Sequence, residues 1–309
     1  MQIGLMMRTV KHEPSGETSL MRWPEIRDIA VLAEEIGVDT LCAPDHLLFR
    51  NSPEMGIPPG VTRGTWEAFT LLTAIAASTR RVTLLPFVAC TSFRNPAMLA
   101  KIADSLDEVS EGRLILGLGA GWHEPEYQAY GYPFDRRVSR FEEALQIILP
   151  LLKGETVTFH GQFYAVDECV LVPRGPRQAG PPIWIGARRP RMLVLVATYA
   201  DAYNTDQLLS VANTQAAEDL FQVAEDACRL AGRDPSTLRR TSGASLAFEG
   251  DAAAGAIPDG TLRGSTDEIV EKLAGYAAIG VEHFTFWVYP SNIKSIERLA
   301  PIVEAAHKL

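Results

Sequence analysis

Short apolar, β-rich runs alternate with segments of helical spacing along the whole chain. Gln2–Met6, Thr40–Ala43, Val82–Phe87, Leu114–Leu118, Ile183–Gly186, Ala202–Asn204, Ser242–Phe248 and His283–Trp287 read as strands. Between the first two, Ile26, Ile29, Ala30, Ala33 and Ile36 recur at helical spacing, entered through Pro24 and closed at Gly37. Val138, Phe141, Leu145, Ile148 and Leu152 draw a second apolar face before Lys153-Gly154. Asn213 caps a predicted helix with Ala217, Leu220, Phe221, Ala224 and Cys228 inward, and Ser265 or Thr266 caps another that runs to Gly280. Eight βα units in one chain predict an α/β fold, a closed (β/α)8 TIM barrel formed as a single domain over residues 1–309. Two connections are too long for plain loops. Residues 44–65, which include Pro53, Pro58 and Pro59, leave the second strand and read as a lid over the C-terminal face. Residues 154–182 read as a β-hairpin, Thr156–His160 and Phe163–Val166 around Gly161-Gln162, followed by a Pro/Gly-rich return.

The 47% apolar content of the 309 residues is ample for one large core. A net charge of −9 with no basic run leaves no surface suited to nucleic acid or an anionic membrane. Cys42, Cys90, Cys169 and Cys228 are scattered without a CxxC pair, which points to thiols in a reducing compartment. The opening MQIGLMMRTV has no signal-peptide pattern, and no apolar run reaches the ~20 residues of a bilayer span. The expectation is a soluble cytoplasmic protein.

The stretch RLILGLGAGWHEPEYQAYG, residues 113–131, concentrates the chemistry. A strand runs into Gly117, Gly119 and Gly121, then Trp122-His123-Glu124-Pro125 enters a helix. It is not a dinucleotide fingerprint, because Trp122 stands where GxGxxG needs its third glycine. Glycines so spaced let backbone N–H groups approach a bound group, or simply make a tight βα turn. Asp45-His46 follows the second strand, where a barrel holds its catalytic residues, and a carboxylate beside a histidine can orient the ring for proton exchange. The alternative is a strand cap. His123 remains open as a second acid/base candidate, whereas Glu124 and Glu126 read as residues suited to a positive helix start. The six histidines form no HxH or HExxH pair, so no metal site is expected, and there is neither a GxSxG elbow nor a P-loop. Gly186-Ala187-Arg188-Arg189-Pro190-Arg191 opens a helix after the fifth strand, with Arg174 and Arg177 upstream. This suits a phosphate, or else a solvated face of paired arginines. Trp66, Phe87, Trp122, Trp184, Trp287 and Tyr289 near strand ends could wall a planar heterocycle and an apolar substrate.

With these residues assembled, the chain resembles the bacterial-luciferase-like family of flavin- or deazaflavin-dependent oxidoreductases. The resemblance runs through PDHL at 44–47, residues 92–131, RFEEALQIILPLLKGE at 140–155, the FHGQFY hairpin, PPIWIGARRPRM at 181–192 and YADAYN at 199–204. It implies FMN or the deazaflavin F420 at the C-terminal mouth of a (β/α)8 barrel. Asp45-His46 matches the pair common in the deazaflavin branch, with Asp45 toward the cofactor and His46 as the proton-transfer residue. Phe87-Val88 matches a strand-end pair that often forms a non-prolyl cis peptide. Gly119, Ala120, Gly121 and Trp122 would line the cofactor, Gly186, Ala187, Arg188 and Arg189 would hold its phosphate, and Trp66, His123 and Trp287 would line the substrate pocket. Two departures stand out. Arg188-Arg189 replaces a glycine pair found in many relatives, and would suit a tail rich in negative charge. Trp122 stands near where the sugar-phosphate dehydrogenases of the branch carry a glutamate, which argues against a sugar phosphate. The resemblance thus implies F420-dependent hydride transfer to or from a small organic substrate. FMN-dependent two-component monooxygenation and a non-catalytic flavin-binding relative are the alternatives. A homodimer, with a separate reductase supplying reduced cofactor, is the implied assembly.

Overall fold

The computed structural model describes residues 1–12, 18–52, 57–206, 213–248 and 260–309; Pro53 of the expected lid lies outside the described residues. Eight principal strands follow in chain order: β1 (Gln2–Met6), β2 (Thr40–Ala43), β3 (Thr83–Pro86), β4 (Leu116–Gly119), β5 (Ile183–Gly186), β6 (Ala202–Asp206), β7 (Arg239–Phe248) and β8 (Val281–Tyr289). The longer helices are α1 (Trp23–Glu35), α2 (Ala68–Ser78), α3 (Pro96–Val109), α4 (Glu124–Tyr130), α5 (Arg137–Leu152), α6 (Pro190–Tyr199), α7 (Thr214–Leu230) and α8 (Thr266–Ala278). The chain divides into two compact units. One comprises Met1–Ala43, Arg81–Thr83 and Gly186–Leu309; the other comprises Pro44–Arg80 and Leu84–Ile185.

In the first unit the strands run β2-β1-β8-β7-β6, all parallel, with Leu262–Gly264 added beside β7. The register sets Gly4 opposite Thr285 and Thr40, so successive residues alternate between two buried faces. Helix α1 buries Ile26, Ile29, Ala30 and Ala33, each fully buried isoleucine contributing roughly 1.5–3 kcal/mol, and Gly37 takes the left-handed φ of +92° that ends it. Of the two residues that could cap α8, Ser265 does so, in a reciprocal capping box with Glu268. A hairpin of Val10–His12 with Thr18–Leu20, not anticipated from the sequence, follows β1.

One polar group in this unit sets an acid limit on stability. His283 is fully buried, its Nε2 lies 2.9 Å from Thr40 Oγ1, and that hydroxyl is 2.7 Å from Thr83 Oγ1. Burial, reinforced by Arg239, depresses its pKa to about 3. The folded protein therefore binds fewer protons than the unfolded chain between pH ~6.5 and 3. The corresponding stability is complete above the unfolded value and is lost as pH falls toward the folded one, on the order of a few kcal/mol. Urea unfolding at pH 7 and pH 4 should show a smaller acid loss in His283→Asn than in the wild type. Equal losses in both would contradict this.

In the second unit β5 pairs with β4 in parallel (Trp184 opposite Gly117), and β4 pairs with Ala89–Cys90. The predicted strand at Leu114–Leu118 is displaced: Leu114 forms only a bridge to Leu84, and the regular strand extends through Gly119. The expected lid contains an antiparallel hairpin, Phe49–Ser52 with Ile57–Arg63. The second hairpin is present as Val157–His160 with Ala165–Cys169, its return strand starting two residues later than predicted because Gly161 N–H closes the turn on Tyr164 O. Glu143 on α5 accepts from the N–H groups of Gln162, Phe163 and Tyr164 and fastens the turn to the helix. Among the described residues, no helix is long and apolar enough to cross a membrane.

Candidate functional site

In the second unit the chain leaves Pro44 with Asp45 and His46 side by side, and their side chains part company. Asp45 is buried, and both its oxygens take a bidentate pair from Arg94 at 2.7 and 2.9 Å while Oδ2 also accepts the Cys90 N–H. Arg94 follows the turn Thr91–Phe93, lies 4.8 Å over the Phe69 ring and also donates to Glu67. Glu67 in turn caps α2 by accepting the Phe69 and Thr70 N–H groups. Burial alone would lower the Arg94 pKa, but the Asp45 and Glu67 carboxylates outweigh it and raise it. Asp45 is thus the anchor of the loop rather than the carboxylate that orients His46.

That carboxylate is Glu126. Its side chain is 1% exposed; Oε1 lies 2.9 Å from His46 Nδ1 and Oε2 accepts the Leu47 N–H at 2.8 Å. Glu126 is the third residue of α4, which starts Glu124-Pro125, and its side chain turns inward. Both glutamates are in the first turn of α4, as expected of acids at a helix start, but the Glu126 side chain is also buried against His46. Burial is the physical difference, and nothing at its own position in the sequence signals it. Because a carboxylate accepts, Nδ1 carries the proton and Nε2 is left as the exchangeable nitrogen. Among the described residues no protein group hydrogen-bonds to that nitrogen, and the ring lies 4.3 Å from Phe49 and 5.5 Å edge-on from Trp122.

Trp122 is 42% exposed and Trp66 is 38% exposed, both large apolar surfaces at loop exits. His123 is buried instead, and its Nε2 accepts the Arg50 N–H at 3.2 Å, so this ring holds the root of the Phe49–Ser52 strand. The Phe87-Val88 peptide is cis. Close packing accounts for the glycines. A Cβ on Gly119 would meet Val88 Cγ2 at 2.5 Å, one on Gly117 would strike the Pro86 carbonyl, and one on Gly121 (φ +74°) would strike the Tyr127 hydroxyl. Protein atoms already occupy the space a side chain would need at each position. The glycines therefore serve close packing at the strand end, whether or not their N–H groups also face a ligand. Tyr127 Oη donates to Ala120 O at 2.9 Å and lies 2.9 Å from Cys90 Sγ, which fixes the Gly119–Trp122 backbone.

Gly186 to Arg189, in the first unit, lead from β5 into α6, whose first residue is Pro190. Ala187 O accepts the Tyr203 hydroxyl at 2.8 Å, and Arg188 and Arg189 are exposed. Trp287 lies in β8 at 6% exposure, opposite Ser245. The upstream arginines have other tasks within the second unit. Arg174 pairs with Asp104 and donates to Leu152 O, and Arg177 pairs with Asp107 and donates to Leu114 O. They are spent on holding the return segment and are not available to a phosphate.

Within the second unit, exposed Trp122 beside a histidine with one committed nitrogen fits the ring of a flavin-type group. Within the first unit, exposed arginines at the start of a ten-residue helix fit a phosphate. Comparison with known proteins agrees. The family model described as luciferase-like monooxygenase matches residues 1–257. The chain is 30% identical to a 5,10-methylenetetrahydromethanopterin reductase of Archaeoglobus fulgidus over 59% of this chain and 48% of that protein. It is also 30% identical to an F420-dependent glucose-6-phosphate dehydrogenase of Nakamurella multipartita, over 74% of this chain and 64% of the relative. The chain spans about half the length of the first curated relatives it matches. Among solved structures, an F420-dependent secondary alcohol dehydrogenase in complex with an F420–acetone adduct superposes with a TM-score of 0.80. It covers 99% of this chain and 98% of its own at 18% identity. That likeness shows the fold, the luciferase-like (β/α)8 barrel expected from the alternation of strands and helices.

Proposed function

Because the chain belongs to the luciferase-like monooxygenase family, we propose that it is an oxidoreductase that uses F420 to move a hydride to or from a small organic substrate. The observation that carries this is His46, with Nδ1 held by the buried Glu126 carboxylate and Nε2 without a protein partner among the described residues. When bound, F420 supplies C5 as the hydride acceptor or donor. His46 would take the hydroxyl proton of an alcohol substrate at Nε2, or return it in the reverse direction. Glu126 keeps the ring in one tautomer. Asp45, through Arg94, keeps His46 at its post. In the second unit, Phe87, Val88 and the Gly119–Trp122 segment are the residues we assign to a flavin-type ring. In the first unit, Gly186 to Arg189 suit a phosphate. Within the second unit, Trp66 and His123 keep their assignment to the substrate, with His123 acting through the Arg50 N–H it accepts.

The names of relatives favour F420 over FMN, and the four cysteines, all free thiols, accord with a cytoplasmic enzyme. A homodimer supplied by a separate reductase completes the reading. The experiment is an anaerobic screen of secondary alcohols with F420, followed by loss of the cofactor's visible absorbance. Alcohol-dependent bleaching is expected. Oxygen uptake with reduced FMN, together with no bleaching of F420 by any alcohol, would instead favour an FMN monooxygenase.

A further inference from the structure

In the second unit, four rings close on one another around His46. Phe49 lies 4.3 Å from the His46 ring at an interplanar angle of 43°, and 5.6 Å from His123. His123 lies 5.1 Å from Trp122, and Trp122 meets His46 edge-on at 5.5 Å, so the circuit returns to its start. The diagonal from Phe49 to Trp122 is 6.5 Å. The backbone that carries Phe49 is pinned on both sides to the turn that carries Trp122. Two residues earlier, the Leu47 N–H donates to Glu126 Oε2 at 2.8 Å; one residue later, the Arg50 N–H donates to His123 Nε2 at 3.2 Å. Phe49 itself opens the strand pair opposite Arg63, and its side chain is buried.

We propose that Phe49 is a positioning residue for proton transfer, acting through His46 by blocking the movement that the Glu126 bond leaves to the imidazole. The proposal rests on the reading of His46 as the proton-transfer residue. A hydrogen bond at Nδ1 selects the tautomer, but one bond leaves the ring free to swing about it. The last torsion of a histidine is broad, so bonding alone does not hold the ring plane. Packing does: Phe49 lies against the ring, and the Trp122 contact bounds it further. The two backbone pins keep Phe49 in place, because its segment cannot shift without breaking a bond to Glu126 or to His123. His123 thereby reaches His46 without touching substrate, through the Arg50 backbone and the Phe49 ring. A displacement of about 1 Å in a reacting group can cost ~10²-fold in rate, so a side chain with no chemistry of its own carries a catalytic effect.

The test compares wild type with Phe49→Val, which keeps a strand-forming residue and withdraws the ring. The first arm measures side-chain 13C relaxation of His46 in the cofactor-free protein. The wild-type ring should be as ordered as the backbone, and Phe49→Val should lose that order. The second arm is kinetic: kcat should fall by about 10- to 100-fold, with KM and F420 affinity near wild type. The double variant with His46→Ala should be no slower than His46→Ala alone, because Phe49 has no effect once the ring is gone. A mobile wild-type ring, or full order in Phe49→Val, would overturn the proposal. So would an unchanged kcat, a change confined to KM or F420 affinity, or additive losses in the double variant. The wild-type relaxation decides even if Phe49→Val does not fold. Because the relaxation arm needs no cofactor, failure of the protein to use F420 is read separately from failure of Phe49 to hold the ring.

Discussion

Replacing His46 by alanine lowers kcat by about 10²- to 10⁴-fold, the range over which a positioned proton donor contributes, while F420 affinity changes little. The Asp45, Arg94 and Cys90 N–H anchor of the loop is untouched, but the buried Glu126 carboxylate loses one partner, so the variant should fold with some loss of stability, read separately by urea denaturation. Glu126→Gln separates the two halves of the dyad. The amide preserves shape but can turn its NH2 toward Nδ1 and favour the wrong tautomer, so kcat should fall by about tenfold or more with KM close to the wild-type value. It also keeps an oxygen for the Leu47 N–H, which limits the structural cost. Steady-state kinetics of both variants, with cofactor binding measured separately, checks the assignment. Wild-type kcat in His46→Ala would remove His46 from proton transfer. A Glu126→Gln variant affected only in KM would make Glu126 a packing residue.

Arg94→Met destabilises the protein by ~3–5 kcal/mol, because it strands the buried Asp45 carboxylate, and to a lesser degree Glu67, without a cation. That is a large share of the 5–15 kcal/mol typical of a domain. Combining it with Asp45→Asn should recover part of the loss, since the amide can still accept the Cys90 N–H and no charge is left buried. Urea denaturation of the two single variants and the double variant measures the coupling. A loss under ~1 kcal/mol in Arg94→Met would reduce the pair to the weight of an exposed salt bridge. It would also break the argument that Asp45 acts by fixing the loop that carries His46.

Much of the architecture is legible in the sequence because it is written in local signals. Pro24 and Gly37 bracket α1, Ser265 and Glu268 form a capping box, and the apolar spacing of α5 is unbroken from Phe141 to Leu152. The connections were harder. The lid turned out to contain a strand pair, whose turn-rich sequence hides the alternation expected of strands. What local reading could not reach are pairings across long stretches of chain. His46 meets Glu126, 80 residues away, and Asp45 meets Arg94, 49 residues away. Glu126 sits where a helix start explains an acid without further help, so the ordinary explanation concealed the buried one. The glycines carry a second constraint that their spacing alone does not show. Their spacing suggests a ligand's approach, yet Pro86, Val88 and Tyr127 already fill the places a side chain would take.

The most direct test of the account is the pair of dissociation constants for F420 and FMN, measured by fluorescence titration of the same protein under the same conditions. The account expects F420 to bind at least about tenfold more tightly than FMN. Tight FMN binding with none for F420 would contradict it.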